Sequence, residues 1–312
     1  MKEFLYKVKS VVIGSAVADA LGVPAEFKSR EALLENPVTD MVGYGTYPVP
    51  AGSWSDDTSM ALCALEVMAN KKEIDFNAIM DNFVKWYYEG EFTPTGVTFD
   101  AGNTCVEAIL NYASAGVSPV FCGPRDEYSN GNGSLMRIHP FVLFGIFKGL
   151  SLAERTELIK NASALTHGHE RTVLACLIYM YVLEELLAKP TKKSIENGLD
   201  LAVTRFCNNE EIAHYARIFK DGFAKTPENE IMSGGYVVET LEAAIWCLLN
   251  TETYEECVLK AVNLGRDTDT TAAVAGALAG ALYGYDAIPN GWKSTLLKRE
   301  YIEELCSTAF QE

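Results

Sequence analysis

The chain has 312 residues, 48% hydrophobic and 22% charged, which is the balance of a globular protein with a sizeable core and excludes a disordered or collagen-like chain. Lys and Arg number 26 against 42 Asp and Glu, so the formal charge is −16. That excess of acid argues against general nucleic-acid binding, which needs basic patches to displace counterions.

Apolar periodicity predicts helices over 6–21, 57–70, 77–89, 100–115, 134–148, 152–164, 170–188, 192–207, 209–222, 235–250, 254–264, 270–284 and 294–310. Ser151 to Glu154 and Thr253 to Glu256 read as capping boxes, and Pro190 ends a helix. Alternating strand patterns are scarce, and no β-α-β rhythm, Gly/Ser linker or repeat is visible. The expected fold is all-α, one compact domain over residues 1–312.

The first helix imitates a signal peptide, with a basic Met1 to Lys9 followed by an apolar Val11 to Ala18. Asp19 and Glu26 interrupt that pattern, and a core helix is the expectation. Thr270 to Tyr285 is the longest uncharged apolar run; its 16 residues fall short of the ~18–20 that span a bilayer. Its Gly276, Gly280 and Gly284, spaced by four, let a neighbouring helix approach closely. No membrane association is expected. The eight cysteines form no C-x-x-C pair and mostly lie in apolar helical runs, so reduced thiols in a cytoplasmic protein are expected.

Two acidic clusters open two of these helices. Ser55-Asp56-Asp57-Thr58 precedes the apolar run from Met60, and Arg266-Asp267-Thr268-Asp269-Thr270 precedes the Ala/Gly-rich one. Capping explains one carboxylate at a helix start, but not an adjacent pair at two of them. Four carboxylates with the Ser55 and Thr270 hydroxyls make an all-oxygen set suited to hard cations such as Mg²⁺ or Mn²⁺. If the clusters converge, two ions ~3.5–4 Å apart would offset the repulsion and activate a water. The second cluster is not an EF-hand loop, because Ala272 and Leu278 stand where Gly and Glu are needed. Nor does it follow a strand, as a haloacid-dehalogenase-type nucleophile motif would.

Three further segments carry candidate chemistry. Asn130-Gly131-Asn132-Gly133-Ser134 can turn backbone N–H groups toward a phosphate or a sugar hydroxyl, or be an ordinary turn. Thr166-His167-Gly168-His169 lacks the further His or Cys a zinc site needs. Asp100 reads locally as an N-cap of helix 100–115.

In order along the chain, these motifs resemble the ADP-ribosylglycohydrolase family, of the dinitrogenase-reductase-activating glycohydrolase type. The resemblance runs from Gly14 to Phe27, through Trp54 to Met60, Gly131 to Arg137 and Thr166-His167, to Leu264 through Thr270. It implies an all-α fold of orthogonal helices with two Mg²⁺ or Mn²⁺ ions held by Ser55, Asp56, Asp57, Asp267, Asp269 and Thr270. It further implies hydrolysis of the glycosidic bond between ADP-ribose and an acceptor, with ADP-ribose as product. Glu26 would be a proton acceptor or a gate, sharing the catalytic work with Asp56, Asp57 and Asp269 in a division left open. Gly102, Asn130, Gly131, Asn132, Gly133, Ser134, Met136 and His167 would hold the substrate, and an aromatic ring, with Tyr128 near the right loop, would stack adenine. Asp100 occupies the position of an aspartate in arginine-specific members, where it would pair with the guanidinium of ADP-ribosylarginine. O-linked serine, nucleobase or small-metabolite conjugates, and a non-catalytic ADP-ribose-binding role, are the rival readings. Arg266 stands where a small residue is common; contact with ribose or phosphate, or with a ligand carboxylate, are both open.

Overall fold

The computed structural model describes residues 2–311. The first half carries helices α1 (Lys2–Gly22), α2 (Arg30–Glu35), α3 (Asp56–Lys71), α4 (Phe76–Glu89), α5 (Asn103–Ala113), α6 (His139–Phe147) and α7 (Leu152–Ala164). The second half carries α8 (Glu170–Ala188), α9 (Lys192–Phe206), α10 (Val237–Leu249), α11 (Tyr254–Asn263), α12 (Thr268–Tyr283), α13 (Asn290–Thr295) and α14 (Arg299–Ala309). Among the described residues there is no strand. An isolated antiparallel bridge joins Gly131 to Tyr236. The fold is all-α, and buried apolar residues from α1 through α14 form one continuous core.

The axis of that core is the pair α1 and α12. Every residue of α1 from Ser10 to Gly22 is buried, as expected of a helix apolar on all sides. By length and composition this helix could cross a bilayer, but 94% of its apolar window is buried inside the protein. The glycines spaced by four on α12 do what their spacing predicts. A Cβ at Gly280 would lie 2.0 Å from the Ser10 carbonyl oxygen, and one at Gly14 would lie 2.6 Å from that of Gly276. The backbones therefore touch, and small residues are required at the crossing. Ser15 donates to the Ala273 carbonyl at 3.2 Å, and Tyr254 of α11 donates to that of Gly14 at 2.6 Å. This contact brings the C-terminal end of α1, carrying Asp19, against the N-terminal end of α12, carrying Asp269.

Four predicted helices differ from the observed ones. Helix 100–115 starts three residues late, at Asn103 with Gly102 as its cap, so Asp100 is not the N-cap. Helix 134–148 becomes a turn followed by α6. Segment 209–222 forms a 3₁₀ helix over Glu210–Tyr215 and then turns. Its inward residues Ile212, Tyr215 and Ile218 recur every three positions, the 3₁₀ period. Helix 294–310 splits at Lys298, whose φ is 47°, where the Leu297 N–H leaves the helical path to donate to Gly52 O at 3.0 Å. All eight cysteines are unpaired, and only Cys207 is exposed.

Candidate active site

The first acidic cluster begins α3, and its helix is capped from elsewhere. The Asp19 carboxylate, on α1, accepts from the N–H of Ser55 at 2.9 Å and of Thr58 at 3.1 Å, and from the Thr58 hydroxyl at 2.5 Å. The Ser55 hydroxyl adds a cap on the Asp57 N–H at 3.2 Å and donates to Asp57 Oδ2 at 2.9 Å. Asp56 and Asp57 are thereby released from capping. Both are buried, and Asp57 Oδ1 has no partner.

The second cluster begins α12. Asp267 occupies the N-cap position but makes no side-chain capping bond. Its Oδ2 instead accepts from Asn132 Nδ2 at 2.8 Å, which ties the helix start to the Gly131–Gly133 loop. Asp269 is buried, with Oδ2 unpartnered, and the Thr270 hydroxyl donates across to Asp57 Oδ2 at 3.3 Å. The two clusters, more than 200 residues apart in sequence, therefore meet.

Glu26 and Asp100 complete a ring of acids. One oxygen from each of Asp19, Asp57 and Asp269 lies within 4.8 Å of the others, and the same holds for Glu26, Asp100 and Asp269. Asp269 is common to both groups. Burial, reinforced by Asp100, pushes the Glu26 carboxyl up to about 9. Burial pushes Asp19 up to about 6 against the opposing bonds from Thr58 and Ser55. Asp56, Asp57 and Asp269 are driven well above the ordinary carboxylate range, first by burial and then by their acidic neighbours. No lysine or arginine pairs with any of these acids among the described residues. Buried like charges with unpartnered oxygens on Glu26, Asp57 and Asp269 fit hard cations that accept an all-oxygen donor set.

A cavity of about 330 Å³ opens over this ring. Glu26, Asp56, Asp100, Gly102, Gly131, Asn132, Gly133, Met136, His167, Asp267 and Thr270 border it, and Ser55, Asp57 and Asp269 lie outside its wall. Two expected substrate contacts are otherwise engaged. Asn130 accepts from Thr172 at 2.9 Å and donates to Glu127 O at 2.9 Å, and the buried Ser134 hydroxyl meets that of Ser163 at 2.9 Å. Their side chains shape the loop and do not border the cavity. Tyr128 is 97% exposed and outside the wall, whereas Phe27, 71% exposed, stands at its rim. Arg266 is exposed and makes no ion pair among the described residues; its backbone, at φ 64°, donates to Lys28 O and accepts from Phe27 N–H. A larger hollow, about 450 Å³ between α9 and residues 218–225, has lysines and carboxylates in its wall but none of the unpartnered buried atoms.

Asp19 is the member of the ring that sequence reasoning did not select as a site residue. Its signal was an acid inside an otherwise apolar helix. Phe27 was missed as well, and its neighbour Glu26 was the available pointer.

The family model for ADP-ribosylglycohydrolase matches residues 1–312. An ADP-ribosylarginine hydrolase of Serratia proteamaculans is 33% identical over 310 residues, 99% of this chain and 80% of the relative. An ADP-ribosyl-dinitrogen reductase glycohydrolase of Rhodospirillum rubrum is 30% identical over 288 residues, 91% of this chain and 88% of the relative. A solved structure of an ADP-ribosylglycohydrolase-related protein complex superposes with a TM-score of 0.82 at 32% identity, covering 99% of both chains. With a family match over the whole length, relatives 30–33% identical along most of both chains, and the same fold, the chain belongs to the ADP-ribosylglycohydrolase family, hydrolases of glycosyl bonds.

Proposed function

We propose that the protein hydrolyses the N-glycosidic bond of ADP-ribosylarginine on proteins, with two divalent cations, Mg²⁺ or Mn²⁺, held by Ser55, Asp56, Asp57, Asp267, Asp269 and Thr270. The observation that carries this reading is the convergence of Asp57 and Asp269, from distant helix starts, into two oxygen groups within 4.8 Å that share Asp269 and include Glu26 and the half-buried Asp100. The relatives named for ADP-ribosylarginine and ADP-ribosyl-dinitrogen reductase support the substrate class.

Bound cations would supply Lewis acidity and a water of lowered pKa. The chain supplies the rest. Ser55 and Thr270 both donate to Asp57 Oδ2 and hold that carboxylate in place. Glu26, protonated in the metal-free fold, loses its proton once cations neutralise the neighbouring acids, and its unpartnered Oε2 then receives the proton of the attacking water. The water oxygen adds to the anomeric carbon of the ribose, the carbon–nitrogen bond breaks, and a proton passes to the departing guanidine nitrogen. Products are ADP-ribose and unmodified arginine. Asp100 accepts two parallel hydrogen bonds from the guanidinium. The Gly131–Gly133 loop faces the diphosphate, and glycine at 133 lets it pack against Cys105 and His167, since a Cβ there would lie 2.8 Å from Cys105 Sγ and 2.9 Å from the His167 ring.

The test is incubation with a mono-ADP-ribosylarginine peptide, with Mg²⁺ or Mn²⁺ and again with chelator, following free ADP-ribose. Metal-dependent release is expected. No release from protein shown to bind metal and ADP-ribose would overturn the arginine linkage and direct the search to another ADP-ribose conjugate.

A further inference from the structure

Arg137 is a fully buried guanidinium that forms no ion pair among the described residues. It lies over the Phe83 ring at 5.0 Å, and one nitrogen, Nη2, donates to Ala162 O at 3.1 Å and to the Thr166 hydroxyl at 2.7 Å. Burying a cation with no carboxylate partner is costly, and only the Phe83 ring, the Ala162 carbonyl at the end of α7 and the Thr166 hydroxyl offset it. Its position is informative: Thr166 is followed by His167, on the wall of the cavity.

Hydrogen-bond polarity favours one direction for the next link. A guanidinium only donates, so Thr166 Oγ1 accepts from Arg137 and keeps one hydrogen to give. Nδ1 of His167 lies 3.0 Å from that oxygen. The neighbouring Cys105 thiol is the competing acceptor and a weak one. We propose that Arg137 and Thr166 are positioning residues that fix His167 in its Nε2–H form, so that Nε2 donates to a diphosphate oxygen of the bound nucleotide sugar. The identity of that ligand rests on the function proposed above; the tautomer does not.

Three observations agree with this. Nε2 makes no hydrogen bond among the described residues. The Nε2–Cε1 edge faces the glycine loop, with a Cβ at Gly131 falling 3.4 Å from Nε2 and one at Gly133 falling 2.9 Å from Cε1. Burial, with the Arg137 charge second, pushes the imidazole down to about 3, so the ring is neutral and has one proton to place. A donor is the useful form here, because the ligand oxygens are anionic and the rest of the cavity is acidic.

The experiment is nitrogen NMR of protein labelled at its four histidines, with the His167 signals assigned by their loss in His167→Gln. Wild type is expected to show a protonated Nε2 and a bare Nδ1. In Thr166→Val the Nδ1–H form should gain population, and ADP-ribose affinity by calorimetry should weaken about three- to tenfold. Thr166→Ser should restore both. A protonated Nδ1 in wild type overturns the proposal, and that reading needs no variant to fold. So does a Thr166→Val protein with unchanged tautomer and affinity. If wild type shows the Nε2–H form and binds ADP-ribose but releases none from the arginine conjugate, the acceptor assignment fails and the relay stands.

Discussion

The Asp19 carboxylate accepts the Thr58 N–H at 3.1 Å, capping α3 from the far end of α1. Capping normally consumes an acid in or beside the helix it serves. Here an acid 39 residues upstream does so, and the first turn of α3 keeps Asp56 and Asp57 for the cleft. Asp19→Ala would leave the Ser55 and Thr58 donors buried without partners. The expected loss is roughly 2–4 kcal/mol by urea denaturation. A variant as stable as wild type would mean that α3 is capped without Asp19.

Asp269→Asn preserves shape and removes charge at the acid common to both oxygen groups. Turnover should fall about a hundredfold or more, because a neutral amide is a poor ligand for a hard cation. Stability of chelator-treated protein should be unchanged or higher, since one of several mutually repelling buried acids is gone. A fall in kcat with no fall in Tm is expected. Full activity in this variant would sink the two-metal assignment.

Much of this arrangement was legible in the sequence, for reasons that differ by residue. Paired acids at two helix starts exceed what capping needs, so Asp56, Asp57, Asp267 and Asp269 stood out. The four-residue glycine spacing announced a close helix crossing, found at Gly276 and Gly280. Asp19 was hidden because its task is defined by a helix it does not belong to. Segment 209–222 has inward residues that repeat every three, a spacing that over so short a run is easily taken for the 3.6 of an α-helix. The inward turn of Asn130 and Ser134 depends on Thr172 and Ser163, which no local pattern links to that loop.

Asp100 sits at φ 50°, a left-handed conformation that is uncommon for a residue other than glycine, and it does not cap α5. A carboxylate held that way beside Glu26 suits recognition better than helix stability. Asp100→Ala should lower kcat/KM for an ADP-ribosylarginine peptide by about 10²-fold or more, and for an O-linked ADP-ribosylserine peptide by much less. Equal losses on both acceptors would reduce Asp100 to a general component of the acidic ring.

Gly280→Val tests whether the α1–α12 contact sets the site geometry. The added Cβ would lie 2.0 Å from the Ser10 carbonyl oxygen, so one backbone must move. A cost of roughly 1–3 kcal/mol is expected from overpacking. Because Asp19 and Asp269 lie on these two helices, metal affinity should weaken although no ligand is altered. Mn²⁺ titration followed by electron paramagnetic resonance reads this directly. Unchanged affinity in a destabilised variant would show that the acidic ring is held by its local bonds alone.

The raised carboxyl groups give a pH dependence of definite sign. In the metal-free fold burial pushes the Asp19 carboxyl up to about 6 and that of Glu26 up to about 9, while Asp56, Asp57 and Asp269 are displaced upward as well. Unfolded carboxyls ionise near about 4, so above that pH the folded chain holds more protons than the unfolded one. The contribution of these groups to stability is fully present below about pH 4 and is lost as pH rises through their folded-state values. Divalent cations bind the ionised forms, displacing those protons and removing the penalty. The Tm increase given by a fixed excess of Mg²⁺ or Mn²⁺ should therefore be larger near pH 8 than near pH 5.5. Calorimetry in buffers of different ionisation enthalpy should register proton release on binding. A Tm increase independent of pH, with no proton released, would mean that the ring is already ionised in the metal-free fold and that repulsion is relieved by other means.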